Sequence, residues 1–226
     1  MISRFGAFGK MPALGDFFRL NLAADFVSAW DGWLQACLPA AREEMNGLWS
    51  DAYMSAPVWR FTLAPGLAGR AGMLGVFMPS VDRVGRQFPL TLAIRLDGES
   101  PTLASHFAAG PTFEHLETIA LAALDDDATR DRLAESLELV GPIQRASTSQ
   151  LASGPGIMTL RAGGLSELAP ELAVGLVGRR LFRPSVWSAD VVSGARLMVC
   201  EGLPDPARLR GLFDLDAPVW ASGQAG

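Results

Sequence analysis

Lysine, histidine and cysteine are scarce in these 226 residues, with one, two and two copies respectively. The histidines, His106 and His115, belong to no H-E-x-x-H, and the cysteines, Cys37 and Cys200, to no C-x-x-C, so zinc chemistry lacks its usual signature. G-x-S-x-G and G-x-G-x-x-G are absent too, which removes the common support for a serine hydrolase or a dinucleotide site. Cys37 falls in an amphipathic helical pattern and Cys200 in an apolar strand-like run. In both settings a thiol acts as a small hydrophobe, which fits a reducing compartment. No Lys/Arg run exists to neutralise a phosphate backbone, so nucleic acid is not an expected partner. Eighteen apolar residues never run together, so no membrane span is expected. The opening MISRFGAFGKMP lacks the apolar core of a signal peptide, and a cytoplasmic location is the default.

Apolar residues make up 49% of the chain and charged ones 19%, which excludes a disordered tail-like protein. A chain of this length buries about 70% of its unfolded surface, enough for one large domain or two small ones, and one body is the expectation. Residues 1–112 carry nine charges of each sign, whereas residues 113–226 carry ten basic and fifteen acidic ones. A basic or charge-complementary protein surface is therefore the expected partner.

The organising stretch is Gly72 to Leu96. Met73–Met78 and Leu90–Leu96 are apolar runs of strand length that read as neighbouring central strands. Between them Pro79 and Pro89 bracket Ser80, Asp82, Arg83, Gly85 and Arg86, a connection longer than an ordinary hairpin loop. Two readings stand open. The polar side chains bind something at the mouth of the sheet, or Asp82 and the arginines tie the loop to itself and its neighbours through bidentate hydrogen bonds.

In chain order, Arg4–Gly9 reads as a short first strand that tolerates close backbone approach. A turn follows at Gly9-Lys10-Met11-Pro12, with Asp16 as a cap for whatever comes next. Lys10 after a glycine does not make a phosphate loop, because Met11 stands where Ser or Thr is needed. Leu22–Met45 is an amphipathic helix that Pro39 should kink or split. On it, Trp30 and Trp33 face either the core or a partner. Val58–Leu63 alternates as a strand, with Trp59 and Phe61 on one side and Arg60 on the other. Helices are expected over Thr112–Leu124 and Thr129–Val140, separated by a solvated Asp125–Asp127 turn that is not a metal site. Ala146–Gly156 has the composition of a flexible link. Strands at Ile157–Leu160, Ser185–Ala189 and Ala195–Cys200 and helices at Leu165–Leu181 and Asp205–Phe213 complete the chain. One continuous sheet with helices on both sides is the economical assembly. The histidines read as partly buried polar residues, and a carboxylate site built from Asp16, Asp51 and Asp82 is left open.

Three blocks occur together: Gly6-Ala7-Phe8-Gly9-Lys10-Met11-Pro12 with Gly15-Asp16-Phe17, then Ala56-Pro57-Val58-Trp59-Arg60-Phe61, then Met78-Pro79-Ser80-Val81-Asp82-Arg83-Val84-Gly85-Arg86 with Phe88-Pro89-Leu90. In this order, with the Trp30-Asp31-x-Trp33-Leu34 helix, they resemble the TagF (ImpM) family of type VI secretion system accessory proteins. The C-terminal likeness is thinner: Pro184-Ser185-Val186-Trp187 and Gly202-Leu203-Pro204 are similar, but Ser188 stands where another aromatic residue is expected.

The resemblance implies an α/β fold, a three-layer α-β-α sandwich with a mixed, largely antiparallel central sheet, spanning residues 1–226 as one domain. It implies a cytoplasmic, non-catalytic protein without a cofactor. Such a protein represses assembly of the secretion machine after translation by binding the system's forkhead-associated scaffold protein. The contact face itself is expected from the polar residues concentrated at turns beside an apolar sheet, where loops specify binding: Lys10, Asp16, Trp59, Arg60, Ser80, Asp82, Arg83 and Arg86. The competing expectation is a small-ligand sensor or hydrolase whose pocket includes Asp16, Asp82 and the two loop arginines.

Overall fold

The computed structural model describes residues 4–98, 100–144, 150–154, 157–161 and 164–221. In chain order its elements are β1 (Gly6–Gly9), β2 (Phe18–Leu20), α1 (Ala24–Met45), α2 (Trp49–Ser55), β3 (Trp59–Leu63), β4 (Gly72–Met78), β5 (Leu90–Leu96), α3 (Thr102–Ala108), α4 (Gly110–Ala122), α5 (Arg130–Glu138), β6 (Gln150–Gly154), β7 (Ile157–Arg161), α6 (Leu165–Arg180), β8 (Pro184–Val191), β9 (Gly194–Glu201) and α7 (Pro206–Arg210). β4 and β5 pair in full, from Gly72 opposite Leu96 to Met78 opposite Leu90.

Seven strands form one sheet in the order β2-β1-β5-β4-β3-β8-β9. Every pairing is antiparallel, so the sheet is not mixed. Connections without room for a crossover helix impose this on β3, β4 and β5 and on the β8–β9 hairpin. The chain also returns antiparallel where it crosses from β1 to β5 and from β3 to β8. β6 and β7 stand apart as a two-stranded hairpin, so the single continuous sheet expected from the sequence is divided. Gln150–Gly154, inside the expected flexible link, is therefore a strand; residues 145–149 and 155–156 lie outside the described residues.

Alternation along the strands separates two cores, which makes the molecule three-layered. Trp59, Phe61, Leu63, Phe77 and Trp187 meet Phe26, Trp30 and Leu34 of α1, Tyr53 of α2 and Leu209 of α7 on one face. Leu74, Val76, Leu90, Leu92 and Ile94 meet Phe113 and Leu116 of α4 and Leu133 and Leu137 of α5 on the other. Trp30 is fully buried and its indole N–H donates to Thr91 Oγ1 at 3.0 Å; Trp33 is partly buried and donates to the Pro204 carbonyl at 2.8 Å. Both tryptophans serve the core. α1 runs unbroken through Pro39, contrary to a split. The proline is on the exposed side, where water can satisfy the carbonyl one turn back, while Leu34, Cys37, Ala41 and Met45 keep the buried stripe continuous.

A candidate recognition loop and its buried clamp

The β4–β5 connection is narrowed at its neck. Val81 bridges Gln87, the Phe88 amide donates to the Ser80 carbonyl at 3.0 Å, and the Asp82 amide donates to the Arg86 carbonyl at 3.1 Å. Gly85 turns the tip with φ of 81°, a conformation side chains disfavour.

Asp82 fastens this turn from within. Its Oδ1 accepts the amides of Val84 (3.1 Å) and Arg86 (2.9 Å). Its Oδ2 accepts Arg86 Nε at 2.6 Å and pairs with Lys10 Nζ at 2.9 Å. The Asp82 side chain is wholly enclosed and Lys10 nearly so. Burial alone would push the carboxyl up; the Lys10 ammonium, then the Arg86 and Val84 donors, more than offset that and hold it well below the usual carboxylate range.

The clamp extends in both directions from Ser80 and Arg86. Ser80 Oγ donates to the Lys10 carbonyl at 2.8 Å, and the Tyr53 hydroxyl donates to the Ser80 carbonyl at 2.8 Å. Arg86 Nη2 donates to the Gly15 carbonyl at 2.8 Å, and the Arg83 amide to the Leu14 carbonyl at 2.9 Å. The 11–17 turn and the loop thus form one rigid unit. The bracing reading of Asp82 and Arg86 is the one the geometry realises.

The expected contact face is therefore dispersed. Lys10, Ser80 and Asp82 are buried in the clamp. Trp59 is fully buried in the α1-side core, donating to the Leu212 carbonyl at 2.7 Å and stacking on Trp220. Arg60 lies on the other face of an interior strand and holds Glu117 of α4 through two hydrogen bonds of 2.6 and 2.8 Å. Asp16, Arg83 and Arg86 do reach the surface. Asp16 caps no helix, since β2 follows; it accepts the Phe17 amide at 2.8 Å. Sequence reasoning missed Phe17, half-exposed and packed on Phe8 and Phe88 beneath the Lys10 ammonium, and Val84, 71% exposed at the loop tip. Their setting between arginines and turns was the available signal. Arg83's guanidinium lies over Gly15 and makes no hydrogen bond or ion pair among the described residues.

The pocket expected from Asp16, Asp82 and two arginines is not assembled, because Asp82 is sealed and its oxygens are saturated. Asp51 is exposed, and neither it nor Asp16 bonds Asp82, so the three carboxylates do not converge. Among the described residues no acidic, cysteine and histidine cluster suits a metal. A cavity of about 840 Å³ is at the opposite end of the sheet, beside Gly72 and Leu96. Its arginines are already engaged, Arg4 with Glu138 at 3.8 Å and Arg95 with Asp97 at 3.2 Å. The loop, in contrast, displays the exposed Arg83, without a side-chain partner among the described residues, together with the exposed Val84.

A second polar centre occupies the α3 side. His106 is buried, with Nδ1 2.9 Å from Thr62 Oγ1 and Nε2 2.8 Å from Ser188 Oγ. Desolvation, with the nearby Arg60 charge, depresses its pKa to about 3 and keeps it neutral. Ser188, which replaces the expected aromatic residue, is thus a polar partner for a buried imidazole. His115 is exposed, so neither histidine is the partly buried residue the sequence suggested.

The family model of the TagF N-terminal domain, described as type VI secretion system-associated, matches residues 6–140. No curated protein matches the sequence. Among solved structures, the crystal structure of PA0076 from Pseudomonas aeruginosa PAO1 is similar at a TM-score of 0.75 and 30% identity, over 94% of this chain and 94% of that one. The matched segment contains the whole loop, its Lys10–Asp82 clamp and the strands that carry them, and by that match the chain belongs to the TagF family of type VI secretion system-associated proteins.

Proposed function

We propose that the chain is a non-catalytic cytoplasmic regulator that restrains assembly of the type VI secretion machine after translation, by binding the system's forkhead-associated scaffold protein. One observation carries the choice of surface: Arg83 and Val84 project, next to Phe17, from a loop whose base is locked by the enclosed Asp82. A preformed loop loses little conformational entropy on docking, and arginine and aromatic side chains dominate contact energies where they are desolvated. No described helix is long and apolar enough to cross a membrane.

Arg83→Glu combined with Val84→Asp tests this surface, because both side chains are exposed and outside the clamp. Capture of the scaffold protein should fall at least about tenfold, the change expected from losing one central contact, with the melting temperature unchanged. Undiminished capture by the folded variant removes the loop tip from the contact.

A further inference from the structure

Beside the loop, and away from its tip, a cleft of about 580 Å³ separates the α1–α2 junction from the β4–β5 connection. Its walls are Arg42, Asn46, Trp49, Ser50, Arg86 and Gln87, with Gly47 and Gly85 at positions that leave room for an incoming main chain. Two guanidiniums line this space and no carboxylate does. Of the neighbouring acids, Asp82 lies under Arg86 with its oxygens filled, and Glu44 is 3.9 Å from Arg210. The Arg42 guanidinium has no hydrogen bond or ion pair among the described residues, although it stands in the last turn of α1. Arg86 uses Nε and Nη2 on Asp82 and Gly15, which fixes the plane of its guanidinium and leaves Nη1 unengaged. Trp49 Nε1 donates to Gln87 Oε1 at 2.7 Å, so the amide group of Gln87 is held with its NH₂ toward Ser50.

We infer that this cleft accepts an acidic side chain, an Asp or Glu carboxylate on a peptide segment of a protein partner. The unengaged Nη1 of the oriented Arg86 guanidinium can donate a charge-assisted hydrogen bond to a carboxylate, and the free Arg42 supplies the second charge. The chain's net charge of −5 disfavours an extended polyanion as a whole, whereas a single anionic group meets two guanidiniums in the cleft. The donors Asn46, Ser50 and Gln87 are of the kind that orient such a group within a peptide. The inference does not depend on the scaffold reading, because the occupant is defined by its charge and not by its parent protein.

The Trp49 indole N–H is a reporter inside the cleft. In ¹⁵N-labelled protein, its resonance assigned with Trp49→Phe, titration with N-acetyl-Gly-Glu-Gly-amide should shift that signal saturably. The corresponding glutamine peptide should not. Arg42→Gln, at an exposed and unpaired position, should weaken the binding about tenfold or more without altering the remaining spectrum. Arg83→Glu should leave it intact, so failure of the loop-tip contact and failure of this cleft are separable. An unmoved indole signal, equal response to both peptides, or full binding by Arg42→Gln overturns the inference. So does a response to inorganic phosphate with the acidic peptide inert.

Discussion

Lys10 is the only lysine among nineteen basic residues, and a compact ammonium is what the enclosed Asp82 requires. A guanidinium is planar and needs more donors satisfied than that space provides. Lys10→Met should lower the melting temperature by roughly 10 °C, because it strands a buried carboxylate that several donors still hold ionised. Lys10→Arg should restore little of the loss, as differential scanning calorimetry would register. His106 and Asp82 separate by pH. The neutral imidazole, with a folded pKa of about 3, stabilises fully above the unfolded value near 6.5 and loses that contribution as pH falls toward 3, roughly 5 kcal/mol across the window. Asp82, also depressed, contributes above the unfolded carboxylate value near 4 and loses its part only below it. Thermal melts between pH 7 and 4 should therefore show falling stability that His106→Gln flattens, while the limb below pH 4 persists. An unchanged slope in that variant would assign the acid sensitivity elsewhere. The sequence displayed Asp82 but concealed its role: a polar loop looks the same whether its carboxylate faces solvent or a lysine seventy residues away.

At the scale of elements, legibility followed periodicity. The six-residue alternation through Trp59, Phe61 and Leu63 and the two apolar runs around the loop fixed three adjacent strands, because each pattern is local. The 102–122 region was legible only in part: the turn at Asp97–Pro101 marks a helix start and the pattern from Thr112 marks α4, but the break between two helices does not show. Two helices, α3 and α4, meet at Ala109 and Gly110-Pro111, and the first of them carries only seven residues, too few to display a helical period. Of the β6–β7 hairpin, β7 was legible in Ile157–Leu160 but β6 was hidden, since Ser, Gly and Ala in Gln150–Gly154 carry no strand preference and its pairing partner decides. α1 offers a quantitative check. Pro39 is exposed within an unbroken helix, so Pro39→Ala restores a backbone hydrogen bond on the solvent side and touches no core contact. The variant should gain about 1–2 kcal/mol, the part of proline's ~3 kcal/mol helix penalty left after the unfolded chain regains freedom. Chemical denaturation would read it as a higher midpoint at unchanged slope.

For the whole molecule, the family match ends at residue 140 while the fold does not. β3 is an interior strand only because β8 pairs along it from Arg60–Ser188 to Leu63–Ser185. Trp187 of β8 lies 6.0 Å from Trp30, 5.6 Å from Phe61 and 6.0 Å from Phe77, measured between ring centroids, and Phe213 packs 5.3 Å from Tyr53. The Trp59 indole finds its acceptor at Leu212, and Ser188 completes the bonding of His106. A fragment of residues 1–140 would lose all of these at once. Removing a buried tryptophan or phenylalanine costs about 3–5 kcal/mol, so losing two of them with their hydrogen bonds consumes most of a typical domain's 5–15 kcal/mol. It would also bare β3 as an edge flanked by apolar side chains, the template on which strands aggregate. The 1–140 fragment should therefore be insoluble or lack near-ultraviolet circular dichroism, and co-expressed residues 164–226 should rescue it only if β8 and β9 can dock in trans. A dispersed amide spectrum from the fragment alone would show instead that the loop and its clamp belong to a self-sufficient unit, to which the C-terminal strands are appended.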